Sequence, residues 1–227
     1  MTVRVKVCCI ATEDEAALAV SYGASAVGLV SRMPSGPGPI PQERIRDIAR
    51  IVPPGVATFL LSCETTGSAI AEQQRFCRTN TLQLVDDDVS TAVRRELFDT
   101  LPGIAIVQVI HVRDESAIDR ARDASLSSNA ILLDSGNPAA AVRELGGTGR
   151  AHDWAISRKI RDSVGVPVYL AGGLNSLNVG AAIAQVEPFG VDVCSGLRTD
   201  GSLDERKLDD FMSAVDRAAG LHRPNGR

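Results

Sequence analysis

Two short apolar runs near the end of the chain, each closed at once by glycines, restrict what this sequence can fold into more than anything else in it. Val166–Ala171 ends in Gly172–Gly173, and Gly190–Val193 ends in Cys194–Ser195–Gly196. Between them a helical segment opens at Asn175 and covers about Ser176–Gln185. Glycine at a strand end lets backbone approach a ligand and point its N–H groups at it. A helix N-terminus beside such a turn favours an anion. In a (β/α)8 barrel, phosphate sits after strands 7 and 8. The rest of the chain should then supply six earlier strand–helix units.

It can be divided that way. Strands are expected at Val3–Ile10, Ser25–Val30, Val56–Leu61, Thr81–Val85, Ile104–Val112 and Asn129–Leu133, the last running into Asp134. Thr12 and Glu15 form a capping box for the first helix, which stops near Gly23. The Pro- and Gly-rich loop Ser31–Pro41 cannot be the interior of a helix or a strand. Further helices are expected at Pro41–Ile51, Ser68–Arg78, Glu115–Ala124 and Asp153–Val164, with Asp86–Asp88 as the solvated entry to the fourth. A last helix begins after Ser202 and carries the apolar stripe Leu208, Phe211, Met212, Val215 and Ala219. Strict alternation implies a parallel sheet. Eight units, and no GxGxxG after the first strand, favour a barrel over a doubly wound open sheet. The expected architecture is α/β, a single (β/α)8 TIM barrel over 1–219, with 220–227 as a frayed tail.

Composition agrees and excludes some functions. The chain is 44% hydrophobic but only 4% aromatic, so its core is aliphatic, which suits buried parallel strands. The net charge is −4, without a basic patch interleaved with aromatics. Nucleic acid is therefore not an expected partner. Five cysteines, with no CxxC pair, suggest reduced thiols rather than a disulfide framework or a metal site. No apolar run is long enough to span a bilayer and the N-terminus is no signal peptide, so a cytoplasmic protein off the membrane is expected.

In a barrel the C-terminal strand ends form the active face. The first strand delivers Cys8 or Cys9 there, the sixth Asp134, the eighth Asp192 with Ser195 beyond it. A thiol near a phosphate site can serve as a base. A carboxyl at a partly buried strand end can serve as an acid. A base and an acid across the ring suit proton shuttling, that is, isomerisation of a small sugar phosphate. Cys9 follows Cys8 by one residue, so in a regular strand it points outward under a helix, unless a bulge reverses it.

Six segments in order resemble the phosphoribosylanthranilate isomerase family, ribulose-phosphate-binding barrels of tryptophan biosynthesis. They are Lys6-Val7-Cys8 with Ile10; Gly23–Gly28; Leu132–Ser135; Gly146–Gly149 with Asp153-Trp154; Leu170–Asn175; and Gly190–Val193 with Ser195-Gly196. The resemblance implies an Amadori rearrangement of a phosphoribosyl amine, without cofactor or metal. It implies Asp134 as general acid and Cys8 as general base. Gly147, Thr148, Gly149, Gly172, Gly173, Ser195 and Gly196 would surround the phosphate, with Asp192 near the substrate amine or aryl ring. The only implied partner is the small phosphoribosyl substrate, and the protein would be a monomer or homodimer.

The departures gather on the aryl side. Cys9 stands where the family has glycine, Pro37 where it has the arginine expected to grip the anthranilate carboxylate, and Val85 where it has histidine. An Arg–carboxylate fork is bidentate, so proline cannot replace it. Arg32, earlier in the loop, is the candidate carboxylate anchor. The alternatives are the same chemistry on another N-phosphoribosyl amine, or a sugar-phosphate-binding paralogue without turnover.

Overall fold

Eight parallel strands close into a ring in the computed structural model, which describes residues 2–86, 89–136 and 152–220. In chain order the elements are β1 (Arg4–Val7), α1 (Glu13–Ser21), β2 (Ala26–Val30), α2 (Gln42–Ile51), β3 (Ala57–Ser62), α3 (Gly67–Cys77), β4 (Thr81–Leu84) and α4 (Thr91–Thr100). Then come β5 (Ala105–His111), α5 (Ser116–Ser125), β6 (Ala130–Asp134), α6 (Trp154–Ser163), β7 (Val168–Leu170), α7 (Val179–Val186), β8 (Gly190–Val193) and α8 (Glu205–Ala218). The ring shuts where β1 pairs with β8, in a register running from Arg4↔Gly190 to Val7↔Val193. This is the (β/α)8 barrel that the sequence leads one to expect.

Alternation along the strands makes two separate apolar layers. Outward residues such as Val5, Val7, Leu60, Leu82, Ile106, Ile131 and Val191 meet the helices, including Leu208 and Phe211 of α8. Inward residues form a smaller lumen cluster with Ala26, Phe59, Leu61, Val107, Leu132, Tyr169 and Cys8. The outer layer is the larger of the two.

Local structure departs from expectation in instructive places. β1 stops at Val7 rather than Ile10, because Cys9 adopts a left-handed backbone with φ 62°. That turn places Cys9 in the lumen cluster beside Cys8 instead of outward under a helix. Glycine reaches this conformation without a Cβ penalty, cysteine does not. Asp86 is no solvated helix entry: it is 1% exposed just past the end of β4. α4 starts instead at Thr91, capped by Ser90; Asp87 and Asp88 lie outside the described residues. α7 begins at Val179 because a local turn intervenes, in which Asn175 N–H donates to Asn178 Oδ1 (2.8 Å) and Leu177 N–H to Asn175 Oδ1 (2.9 Å). The capping box forms in part. Glu15 N–H donates to Thr12 Oγ1 (3.1 Å), while the Glu15 carboxylate reaches back to Ala11 N–H (2.9 Å).

Candidate active site

The C-terminal strand ends surround a cavity of about 700 Å³ including its open mouth. Cys8, Asp134, Asp192, Gly172, Gly173 and Ser195 all border it. Gly196 lies directly behind: a Cβ there would fall 2.1 Å from the Leu174 carbonyl oxygen. The turns after β7 and β8 are therefore packed backbone to backbone. Gly172 and Gly173 both have positive φ, 85° and 63°, which turns the chain away from β7 sharply enough to leave room beside Ser195. Gly147, Thr148 and Gly149, expected at the phosphate, lie outside the described residues.

The floor carries an ion pair that motif reading did not foresee. Lys6 is wholly buried, and its Nζ donates to Asp192 Oδ1 at 2.8 Å. The two residues pair in register across β1 and β8. Burial alone would depress the Lys6 ammonium, but Asp192 and the Cys8 thiol together raise it above its ordinary value. Its Nζ also lies 5.2 Å from the Phe59 ring centroid. Parity was the available signal: Lys6, Cys8 and Asp192 share the inward phase of neighbouring strands. Gly28 on β2 leaves space for this group, since a Cβ there would lie 2.7 Å from Cys8 Sγ and 3.0 Å from Lys6 Nζ.

Asp134 ends β6, opposite His111 of β5 in register. Burial is the main cause of its raised pKa. Asp192 adds to it, while the Ser135 N–H, His111 and Lys6 pull the other way. Asp134 Oδ1 accepts that Ser135 N–H at 2.7 Å. Such a carboxyl holds its proton further up the pH scale than an exposed aspartate and can give it to a buried oxygen.

The three thiols at the mouth are not equivalent. Cys9 is pushed well up by its contacts with Cys194 and Cys8 and by burial, so it stays a neutral thiol. Cys194 is lowered by the same contact with Cys9 and by Arg198, against its burial. Arg198 pairs with Glu15 (3.1 Å) and donates to the Cys8 carbonyl (3.2 Å) and the Cys9 carbonyl. It thereby holds in place the turn that follows the candidate base.

The wall from β2 to β4 is mainly apolar, with Val30, Met33, Leu61 and Val85 and Pro37 of the loop, broken by Ser35 and Gln83. No arginine or lysine borders the cavity among the described residues. Arg32 is exposed and is not brought to the site with the others. Among the described residues, no cluster of His, Cys, Asp and Glu is arranged to hold a metal ion, and no helix is long and apolar enough to cross a membrane.

His152 flanks the phosphate-side turn. A Cβ on Gly172 would lie 3.1 Å from its Nδ1, and its Nε2 lies 2.7 Å from Ser157 Oγ. Burial pushes its pKa from 6.5 down to about 4, with Asp153 opposing. Between these values the unfolded chain takes up a proton that the folded chain refuses. Stability should therefore fall as pH drops through that window, by roughly 1–3 kcal/mol. Urea titrations of His152→Phe at pH 7 and pH 4.5 should show a smaller loss than wild type.

Comparison with known proteins gives the family and the fold. A family model described as PRAI: N-(5'phosphoribosyl)anthranilate (PRA) isomerase matches residues 5–214. The N-(5'-phosphoribosyl)anthranilate isomerase of Methanocella arvoryzae is 33% identical, over 93% of this chain and 97% of its own. That of Haloferax volcanii is 35% identical, over 96% of this chain and 95% of its own. The crystal structure of phosphoribosyl anthranilate isomerase from Thermotoga maritima superposes with TM-score 0.80 at 30% identity, covering 96% of this chain and all (100%) of the other. A further such structure, in complex with reduced 1-(o-carboxyphenylamino)-1-deoxyribulose 5-phosphate, gives TM-score 0.77 at 28% identity, covering 96% of this chain and 100% of that one.

Proposed function

Because the chain belongs to the N-(5'-phosphoribosyl)anthranilate isomerase family, we infer that it is an isomerase of tryptophan biosynthesis. It converts N-(5'-phosphoribosyl)anthranilate into 1-(o-carboxyphenylamino)-1-deoxyribulose 5-phosphate. The observation that carries the assignment of roles is that Cys8 and Asp134 border one cavity whose other side is the paired turns after β7 and β8.

The phosphate rests against Gly172, Gly173, Ser195 and Gly196. Asp134 gives its proton to the ring oxygen as the C1–O bond breaks and the amine nitrogen's lone pair forms the imine. Cys8, as thiolate, removes the proton from C2, and the C2–H electron pair neutralises the iminium to give an enolamine. That enolamine becomes the ketone by moving a proton from the C2 hydroxyl to C1. Atoms and electrons balance without an external reagent, as an isomerisation requires. Lys6 beneath Cys8 supplies positive charge where the thiolate forms and is itself neutralised by Asp192. Cys9 is the poorer base because its neighbours keep its proton on.

Growth of a tryptophan auxotroph lacking this isomerase, on expression of the chain, tests the activity; a folded protein that supports no growth removes it. With purified protein, kcat/KM should fall as pH rises through the titration of Asp134, above the ordinary carboxylate range. A profile with no such fall would take the acid role from Asp134. The second reading, the same chemistry on another N-phosphoribosyl amine, is favoured by one observation, the absence of a cation from the cavity wall among the described residues. It requires that the aniline analogue without the carboxylate turn over at least as well as the anthranilate.

A further inference from the structure

One buried polar group in the cavity has no task in the scheme above. Gln83 of β4 borders the cavity and is 3% exposed. Its Oε1 is sealed from solvent and has no hydrogen-bond partner among the described residues. In register it lies between Leu61 of β3 and Val107 of β5, both apolar members of the lumen cluster. Other buried glutamines are engaged. Gln108 donates to the Leu84 carbonyl at 3.2 Å and accepts from Arg94 at 3.3 Å, and Gln74 exchanges hydrogen bonds with Thr79. Gln73 Oε1 is also unpartnered, but it sits on α3 and does not border the cavity. Burying an amide oxygen without a partner is unfavourable, so a residue placed this way in an open site points to a ligand.

Topology says which part of the ligand. In the closed order β1 to β8, β4 stands four places from β8, directly across the lumen. The substrate's phosphate lies at the turns after β7 and β8, so Gln83 meets the end of the substrate remote from phosphate. A carboxamide oxygen only accepts; of the donors near that end, the C2 hydroxyl and the secondary amine N–H, the N–H is the one attached to the aryl ring that the apolar wall of Val30, Leu61 and Val85 would hold.

We propose that the Gln83 carboxamide, held by no hydrogen bond at its oxygen, turns that oxygen into the cavity and accepts a hydrogen bond from the N–H that joins the sugar to the aryl ring, with the ring itself lying against Val30, Leu61 and Val85. As the furanose opens, that nitrogen becomes an iminium and its N–H a stronger donor. The bond therefore tightens in the transition state, which is how an interaction raises kcat rather than only affinity. The same contact aligns the nitrogen lone pair with the breaking C1–O bond. The inference rests on the isomerase reading, and its test separates the two: an inert wild type overturns that reading, whereas an active wild type indifferent to Gln83 overturns this one alone.

The test uses the isosteric variant Gln83→Met and a substrate methylated on the bridging nitrogen. Gln83→Met should lower kcat about 100-fold, leave inhibition by inorganic phosphate within twofold and not lower Tm, since no orphaned amide remains. The N-methyl substrate should be turned over by wild type about 100-fold more slowly than the parent, and Gln83→Met should distinguish the two substrates by less than threefold. A kcat within threefold of wild type overturns the proposal. So does a fall in kcat matched by falls in Tm and phosphate inhibition, which marks a structural role. Should the variant not fold, wild type alone decides: equal turnover of the methylated and parent substrates overturns the proposal.

Discussion

Asp134→Asn should lower kcat by about 10²–10⁴-fold, the range that a positioned general acid typically contributes. The substitution keeps the shape of the side chain and an oxygen able to accept the Ser135 N–H, now 2.7 Å from Oδ1. What it removes is the transferable proton. The fold should not suffer. The pKa of Asp134 is raised, chiefly by burial. Between its unfolded and folded values the native state binds the extra proton, so above that window the ionised carboxylate costs stability and a neutral amide does not. The expected pattern is a large loss of turnover, unchanged or higher Tm, and inhibition by inorganic phosphate within about twofold of wild type. Stopped-time assays of purified variant with calorimetry would show it; near-normal turnover would take the acid role away from Asp134.

Gly196→Ala should damage the phosphate grip as a unit. The new methyl carbon would lie 2.1 Å from the Leu174 carbonyl oxygen and 3.2 Å from the Asn175 Cα. Both neighbours are backbone, so no rotamer change relieves the clash; the turns after β7 and β8 must separate. Overpacking of this kind typically costs about 1–3 kcal/mol and sometimes more. Because N–H groups aimed at a common anion lose alignment together, the inhibition constant for inorganic phosphate should rise by at least about tenfold, one such factor being worth only about 1.4 kcal/mol. Gly165→Ala is the control, since nothing lies within 4 Å of a Cβ there. It should leave both Tm and phosphate inhibition near wild type, and equal behaviour of the two variants would refute the packing account.

Much of this was open to reading in the chain itself. Eight apolar runs with helical segments between them fix a parallel ring, and the order of strands in that ring follows from short right-handed connections. Asp134 and the Gly172–Gly173 turn were legible because a strand end followed by turn residues is a local signal. Asp192 and Lys6 were visible as residues, but not as a pair: they are 186 positions apart, and only closure of β1 against β8 brings them within reach. Cys9 was read as outward because strand alternation was extended through it, whereas its positive φ ends the strand. Asp86 was read as solvated because acidic runs usually are; here the chain stays buried past the end of β4. Arg198 illustrates the same limit, since its grip on the Cys8 and Cys9 carbonyls joins residues 190 and 189 positions apart.

That joining has a consequence for how the protein is made. The ribosome delivers Lys6 and Cys8 well before Asp192 and Arg198, yet β1 and β8 are adjacent staves of one ring. Until β8 emerges, a nascent chain carries two raw sheet margins, β1 and β7, each able to pair with a neighbour on the same polysome. Chemistry and closure therefore arrive together: the moment that seals the last seam against aggregation also sets the Lys6–Asp192 pair under the thiol proposed as base.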